Sequence, residues 1–145
     1  MGRCDREGFI KVIKISTAWS IGVAILSSLV IFGIGTTIID ILTIDQSVRL
    51  QANKFLPWAA TVPIIAVWCY QLDGIFIGAG WTKEMVKSMT FSTILFLVAW
   101  WTFSYMGNKG LWMAMYVHFC ARGLSLFFFF PKLLKRDLPV AQNLN

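Results

Sequence analysis

Charged side chains are scarce in this sequence: Asp, Glu, Lys and Arg make up only 14% of its 145 residues. Because average soluble domains carry about 25% charged residues, this scarcity argues against a soluble fold. One histidine and three cysteines are present, and they do not follow a CxxC or His/Cys spacing typical of metal sites. Phosphate-binding loops, nucleophile elbows and HExxH patterns are also missing. The sequence therefore predicts no enzyme, no metal site and no cofactor.

Apolar side chains, in contrast, form long runs. Residues 15–39 make a stretch of 25 without a charge, and a helix needs about 20 apolar residues to cross a bilayer. We therefore predict an all-α integral membrane protein, with a four-helix membrane domain over residues 15–131 between polar segments 1–14 and 132–145. The four spans are predicted over residues 15–42, 55–80, 88–106 and 111–131.

The segment between the first two predicted spans, residues 43–54, is polar. We predict that it lies on the membrane surface, with Asp45 as the cap of a short interfacial helix. Pro57 falls near the predicted start of the second span, where a missing N–H is tolerated. Pro63 lies deeper and is predicted to kink that helix, with Gly74 as a second weak point.

Lysine and arginine are distributed unequally between the two sides of the predicted bundle. Nine of the 13 flank the N-terminus, the loop after the second span and the tail, whereas three lie on the other side. Since cytoplasmic loops carry the excess of Lys and Arg, we predict both termini in the cytoplasm and the chain in the plasma (inner) membrane. The net charge of +6 thus fits a partner that is the lipid bilayer and not a nucleic acid.

One acid, Asp73, lies inside an apolar span. Such an acid costs a few kcal/mol on insertion scales, and residues of this kind usually face a cavity or a partner. The functional interpretation is a proton or cation site in a transport pathway. The alternative is an interfacial acid that reaches the cytoplasmic headgroups.

Two further candidates, His118 and Arg122, lie four residues apart in the fourth span and share a helix face. The second and fourth spans run in the same direction, and counting from their ends places Asp73 and Arg122 at similar depth. We therefore predict an Asp73–Arg122 ion pair, with an arginine that extends to the interface as the alternative. His118 is either a proton relay or a packed core histidine.

Aromatic side chains concentrate near the predicted span ends, as in the aromatic belts of membrane proteins. The belt prediction covers Trp58, Trp81, Trp100, Trp101 and Trp112. More central are Trp68 and Tyr70, which with Gln71 are candidates for lining a substrate pathway or simply pack in the bundle. Residues 127–130, all phenylalanine, are predicted to face lipid or fill the core.

Several motifs resemble one family of membrane transporters. Residues 55–58 (FLPW), Pro63 and residues 71–79 (QLDGIFIGA) are similar to the tenth helix of the DinF branch of the MATE (multidrug and toxic compound extrusion) family. The turn at 107–112 (GNKGLW) resembles the connection between the last two helices, and residues 121–124 (ARGL) resemble the twelfth helix. The resemblance extends over nearly the whole chain, and the stretch around Asp73 is its most specific part.

The resemblance implies a secondary antiporter that exports drugs or other small toxic organic compounds in exchange for protons or sodium. The family fold has twelve helices in two lobes, of which this chain resembles helices nine to twelve, part of the C-terminal lobe. Asp73 matches an acidic position associated with the second-lobe cation site in some branches.

The resemblance also implies that a complete transporter needs helices that these four do not supply. The opening residues 1–6 look like the loop after helix eight, so Met1 is expected to be an internal methionine of a longer ancestral frame. A separate chain or a homo-oligomer would then supply the missing helices of the transporter. The alternatives are a small four-helix membrane protein that acts by oligomerisation or partner binding, and a non-functional truncated product.

Overall fold

The computed structural model describes residues 6–137, and this part of the chain is built from four long α-helices and one short 3₁₀ turn at Ser104–Met106. Each long helix is long and apolar enough to cross a bilayer. The prediction of an all-α membrane protein is therefore confirmed. The helices are α1 (Arg6–Leu42), α2 (Gln46–Gly78), α3 (Thr82–Phe103) and α4 (Asn108–Asp137).

The helices extend beyond the predicted spans at several ends. α1 begins at Arg6 instead of residue 15, α3 begins at Thr82 instead of residue 88, and α4 continues past residue 131 to Asp137. The extra turns are rich in Lys, Arg and Glu, which are good helix formers although they are polar. Hydropathy therefore indicated where the apolar part of a helix lies, whereas the helix itself continues outside it.

The connection between α1 and α2 is only three residues long, so the prediction of a surface segment over residues 43–54 is wrong. The chain re-enters a helix at Gln46, and Asp45 caps the long α2 and not a separate interfacial helix. The Asp45 carboxylate accepts a hydrogen bond from the Ser47 hydroxyl at 2.7 Å and from the Ser47 amide at 2.8 Å. These bonds, with one from Val48, hold the pKa of Asp45 below its ordinary value.

The early start of α2 also changes the position of its prolines. Pro57 and Pro63 both lie inside the helix, so Pro57 is not near its start. Each proline removes one N–H from the helical hydrogen-bond ladder. The kink predicted at Pro63 and Gly74 remains a prediction, although the helix does tolerate both residues in its interior.

Two helical hairpins make up the bundle. The first, α1–α2, closes at residues 43–45, and the second, α3–α4, closes at Gly107, whose φ of 62° suits glycine. Of the other three helices, the described part of α1 approaches only α2, and α4 lies between α2 and α3. The order across the bundle is thus α1, α2, α4, α3, and α3 and α4 pack as antiparallel neighbours.

A cluster of apolar side chains, here called the Trp81 hub, lies at the end of the bundle where α2 ends and α3 begins. Trp81 is only 2% exposed, so the prediction that it belongs to an aromatic belt is wrong. Gly80, with a φ of 76°, turns the chain there, and the indole of Trp81 lies inside the cluster. The buried members of the hub are Phe76, Trp81, Leu126, Leu133 and Leu134, and Phe9, Ile10 and Phe130 pack against them.

Candidate ion site

The Asp73 carboxylate and the Arg122 guanidinium form a two-point ion pair between α2 and α4. Arg122 Nη2 lies 2.9 Å from Asp73 Oδ2, and Arg122 Nε donates to Asp73 Oδ1 at 3.3 Å. The Asp73 side chain is only 14% exposed and the Arg122 side chain only 10%. The structure thus brings together the two residues that were predicted to pair, in the geometry that makes Arg–carboxylate contacts strong.

The backbone carbonyl of Arg122 is a hydrogen-bond acceptor for one serine of α4 and one of α3. The Arg122 carbonyl accepts hydrogen bonds from Ser125 Oγ at 3.0 Å and from Ser88 Oγ at 3.4 Å. On α2, the Cys69 thiol lies one turn before Asp73 and donates to its Oδ2 at 3.9 Å. The site is therefore a balanced charge pair whose other polar neighbours, Cys69, Ser88 and Ser125, carry a thiol or a hydroxyl. Displacing the guanidinium would leave an anion there without its partner.

His118 contacts a different neighbour. Its Nδ1 donates to the Ser92 carbonyl on α3 at 3.2 Å, and its ring packs edge-on against Phe96 and Phe119. Within residues 6–137, no hydrogen bond joins His118 to Asp73 or Arg122. The geometry favours a packed core histidine over a proton relay.

Gln71 lies two residues before Asp73 and faces α1. Its Oε1 accepts from Ser20 Oγ at 2.6 Å, and its Nε2 donates to Ser16 Oγ at 2.7 Å. Sequence reasoning missed both serines. The signal was their spacing of four residues, which places them on one face of α1.

A cleft of about 610 Å³ lies between α1 and α2, and two of the three proposed substrate-pathway residues line it. Tyr70 and Gln71 belong to this lining together with Trp19 and Pro63. Trp68 is 55% exposed and does not belong to the lining of this cleft. Gly74 is exposed too, with open space where a Cβ would lie.

Sequence reasoning also missed the serines at the contact between α3 and α4. Ser88 and Ser92 are 1% and 0% exposed, and the Ser88 hydroxyl lies 2.5 Å from that of Ser125. Small hydroxyl side chains let membrane helices approach closely and bond across the contact. No group of three or more His, Cys, Asp and Glu side chains suited to a metal ion occurs in the described residues.

Comparison with known proteins adds an independent line of evidence. A family model described as MatE matches residues 1–102, a segment that includes Asp73 and ends before α4. The chain is 40% identical over 104 residues to the DNA damage-inducible protein F of Escherichia coli (strain K12), an alignment that covers 72% of this chain and 23% of that relative. The chain thus spans less than a quarter of the curated relative that it matches. No solved structure matches it. Since the family model covers more than half of the residues, the chain belongs to the MatE family.

Proposed function

We propose that the chain is part of a MATE-type secondary active antiporter, which exports small toxic organic compounds in exchange for protons or sodium, and that Asp73 and Arg122 form its ion site. The observation that carries the proposal is the paired acid and arginine inside the membrane-spanning bundle of a MatE chain. Ionisable residues at such depth are costly and typically mark ion pathways.

Charge balance suggests how the site couples two movements. The Asp73–Arg122 pair is neutral as a whole. When a proton or a sodium ion binds the Asp73 carboxylate, the site gains one positive charge, and in a medium of low dielectric this charge repels a nearby organic cation. The ion and a cationic substrate then bind in turn, which is the requirement for exchange.

Transport by alternating access needs two repeats or lobes that rock about a central site. We therefore propose that further helices, from a separate chain or from a second copy, complete the transporter. The proposed location is the plasma membrane with both ends in the cytoplasm. The Lys and Arg excess supports the cytoplasmic orientation. The packing of Phe9 from α1 and Leu133 from α4 in one cluster supports placing both ends on the same side.

The proposal is tested by export of a fluorescent organic cation from cells that lack other exporters and express the chain with the remaining helices of its relative. We expect Asp73→Asn to lower ion-driven export at least tenfold. Asp45→Asn, a matched neutralisation in the turn between α1 and α2, should leave export intact. Equal export by both variants would overturn the ion-site role of Asp73.

The alternative is a small membrane protein that acts by association. Gly22 and Gly33 in α1 favour it, because nothing lies within 4 Å of the position that a Cβ would take at either glycine, and small residues permit close helix contact. Cross-linking of the chain in membranes separates the possibilities: a stable homo-oligomer without export supports the alternative. If the chain shows neither export nor association, the result supports a truncated product without function.

A further inference from the structure

All four helices converge on one point of the bundle, the Trp81 hub. The Trp81 ring packs edge-on against Phe9 of α1 at 6.2 Å, Phe76 of α2 at 5.5 Å and Phe130 of α4 at 6.2 Å between ring centres. Trp81 itself caps the start of α3. This cluster joins α1 to the α3–α4 hairpin by side-chain packing, although their helix backbones do not approach each other.

The last turns of α4 strengthen this junction. Beyond Pro131, Leu133 and Leu134 are buried in the hub. The Trp81 indole N–H donates to Asp137 Oδ2 at 2.5 Å. Arg136 adds an ion pair to Glu84 of α3 at 3.7 Å. The hub is therefore held by apolar packing and by polar contacts at its rim.

The opposite end of the bundle is joined differently. There, within residues 6–137, the two hairpins meet where α2 passes α4. The rings of Phe55 and Trp112 stack, as do those of Trp58 and Tyr116, and the Tyr116 hydroxyl donates to the Trp58 carbonyl at 2.7 Å. A cleft of about 530 Å³ lies at this end, lined by residues of α1, α2 and α4 that include Phe55 and Trp112. This end has open space between the hairpins, and the hub end has a packed cluster.

Each hairpin is tied internally, so each can move as a unit. In the first, Gln71 bonds to α1, Ser28 donates to the Ala60 carbonyl, and Leu56 packs against Gly35. In the second, Ser88 contacts Ser125, and His118 donates to the Ser92 carbonyl.

We propose that the Trp81 hub is a hinge about which the α1–α2 hairpin pivots against the α3–α4 hairpin, and that the Asp73–Arg122 pair is the lock that limits how far the hairpins separate at the opposite end. Ion binding as the natural trigger rests on the proposed function. The hinge itself does not, because it follows from where the contacts lie.

Because the ion pair lies close to the hub, a small displacement at the pair corresponds to a larger one at the far end. Asp73 is three residues from Phe76 in the hub, about 4.5 Å along the helix, whereas Trp58 is 18 residues from Phe76, about 27 Å away at 1.5 Å per residue. For a rigid α2, a separation of about 1 Å at the ion pair corresponds to about 6 Å at Trp58. A small displacement caused by neutralising Asp73 thus becomes a large opening at the far end.

Two pairs of genetically encoded spin labels test the hinge while keeping the native Cys69. The far-end pair replaces Ile44 and Tyr105, which are 95% and 82% exposed, and the hub-end pair replaces the exposed Lys11 and Lys132. Each pair has one label in each hairpin or its turn. Distances are measured by pulsed electron paramagnetic resonance on the full chain in lipid nanodiscs.

We expect Asp73→Asn to lengthen or broaden the far-end distance by about 5 Å while the hub-end distance changes by less than about 1 Å, in line with the helix geometry. The matched control is Asp40→Asn, because Asp40 pairs with Arg49 at 3.4 Å within one hairpin. It should move neither distance. Equal changes at both ends, no change at the far end, or an equal effect of Asp40→Asn would overturn the hinge.

Two further variants keep the test decisive. If Asp73→Asn does not fold, Asp73→Glu retains the charge, displaces the pair by one methylene and should give a smaller far-end opening. Trp81→Phe removes the indole N–H that Asp137 accepts and should broaden the hub-end distance. A hub-end distance that is unchanged in Trp81→Phe would contradict the role of that contact. Opening in Asp73→Asn without any effect of sodium or pH on the native chain would support the hinge and argue against the proposed ion site.

Discussion

The two faces of α2 hold their neighbours by different chemistry. Gln71 and Asp73 are two residues apart, so their side chains lie about 200° apart around the helix. The Gln71 amide bonds to two serines of α1, whereas the Asp73 carboxylate pairs with Arg122 of α4. A neutral contact can lose a partner at modest cost, but a buried charge cannot. The contact with α4 therefore depends on the charges of Asp73 and Arg122, whereas the contact with α1 does not.

The largest effect is expected when one member of the ion pair is removed. Arg122→Leu leaves the Asp73 carboxylate without its partner, and breaking a buried pair in this way typically costs about 3–5 kcal/mol. Denaturant unfolding in lipid–detergent micelles measures the loss. The double variant Asp73→Leu with Arg122→Leu should recover most of the stability, because two apolar side chains leave no buried charge. A double variant as unstable as the single one would contradict this account.

Moving a charge to the α1 face should have an intermediate effect. Gln71→Glu places a carboxylate opposite Ser16 and Ser20, whose hydroxyls carry no charge to balance it. Insertion scales put an unpaired acid in a span at about 2.5–3.5 kcal/mol. The same unfolding measurement applies. Gln51→Glu, at an exposed position near the start of α2, is the matched control and should be close to neutral. Equal losses in both variants would show that burial at Gln71 is not the cause.

Removing the neutral contact altogether should have a small effect. Gln71→Leu loses two hydrogen bonds to α1 but leaves only serine hydroxyls behind, which can bond to carbonyls of their own helix, as Ser16 and Ser20 already do. Side-chain hydrogen bonds between membrane helices average about 0.6 kcal/mol. A loss above 3 kcal/mol, as large as that of Arg122→Leu, would remove the distinction between the two faces.

Sequence reasoning succeeded where depth and apolar length decide the outcome. The four helices follow from the apolar runs, and the Asp73–Arg122 pair follows from counting residues to the ends of two spans that run in the same direction. The extra turns at Arg6 and Asp137 did not follow, because hydropathy reports the apolar layer and not the end of a helix.

Contacts that depend on the order of the helices were harder to predict. His118 and Arg122 are four residues apart and about 40° apart around α4. Because α4 lies between α2 and α3, this small angle is enough to give them partners on different helices. Trp81 was assigned to the membrane interface because it lies near a span end. Its burial depends on the turn at Gly80 and on the return of α4, neither of which a local pattern reveals.

The Trp81–Asp137 contact involves a charge that, unlike Asp73, lies at the rim of the bundle and is accessible to water. We expect its removal to have the smallest effect on the free energy of unfolding. Hydrogen bonds from Arg136 and from Trp81 hold the pKa of Asp137 below its ordinary value. A depressed pKa means that the folded chain binds this proton less readily than the unfolded chain, so the contribution is present above the ordinary Asp pKa of 3.8 and is lost as the pH falls through the lowered value.

Asp137→Asn should therefore slightly flatten the pH dependence of the free energy of unfolding between about pH 5 and pH 2, with an equally small loss of stability at neutral pH, because water screens an exposed pair. Unfolding curves of both proteins across this range measure the difference. The control is Asp40→Asn, which removes an exposed carboxylate at the opposite end of the bundle. A steep acid loss that persists unchanged in Asp137→Asn would mean that the acid-sensitive contact lies elsewhere. A loss of stability at neutral pH as large as that of Arg122→Leu would show that the Trp81–Asp137 contact matters as much as the buried ion pair. The hub would then depend on charge as much as on its apolar packing.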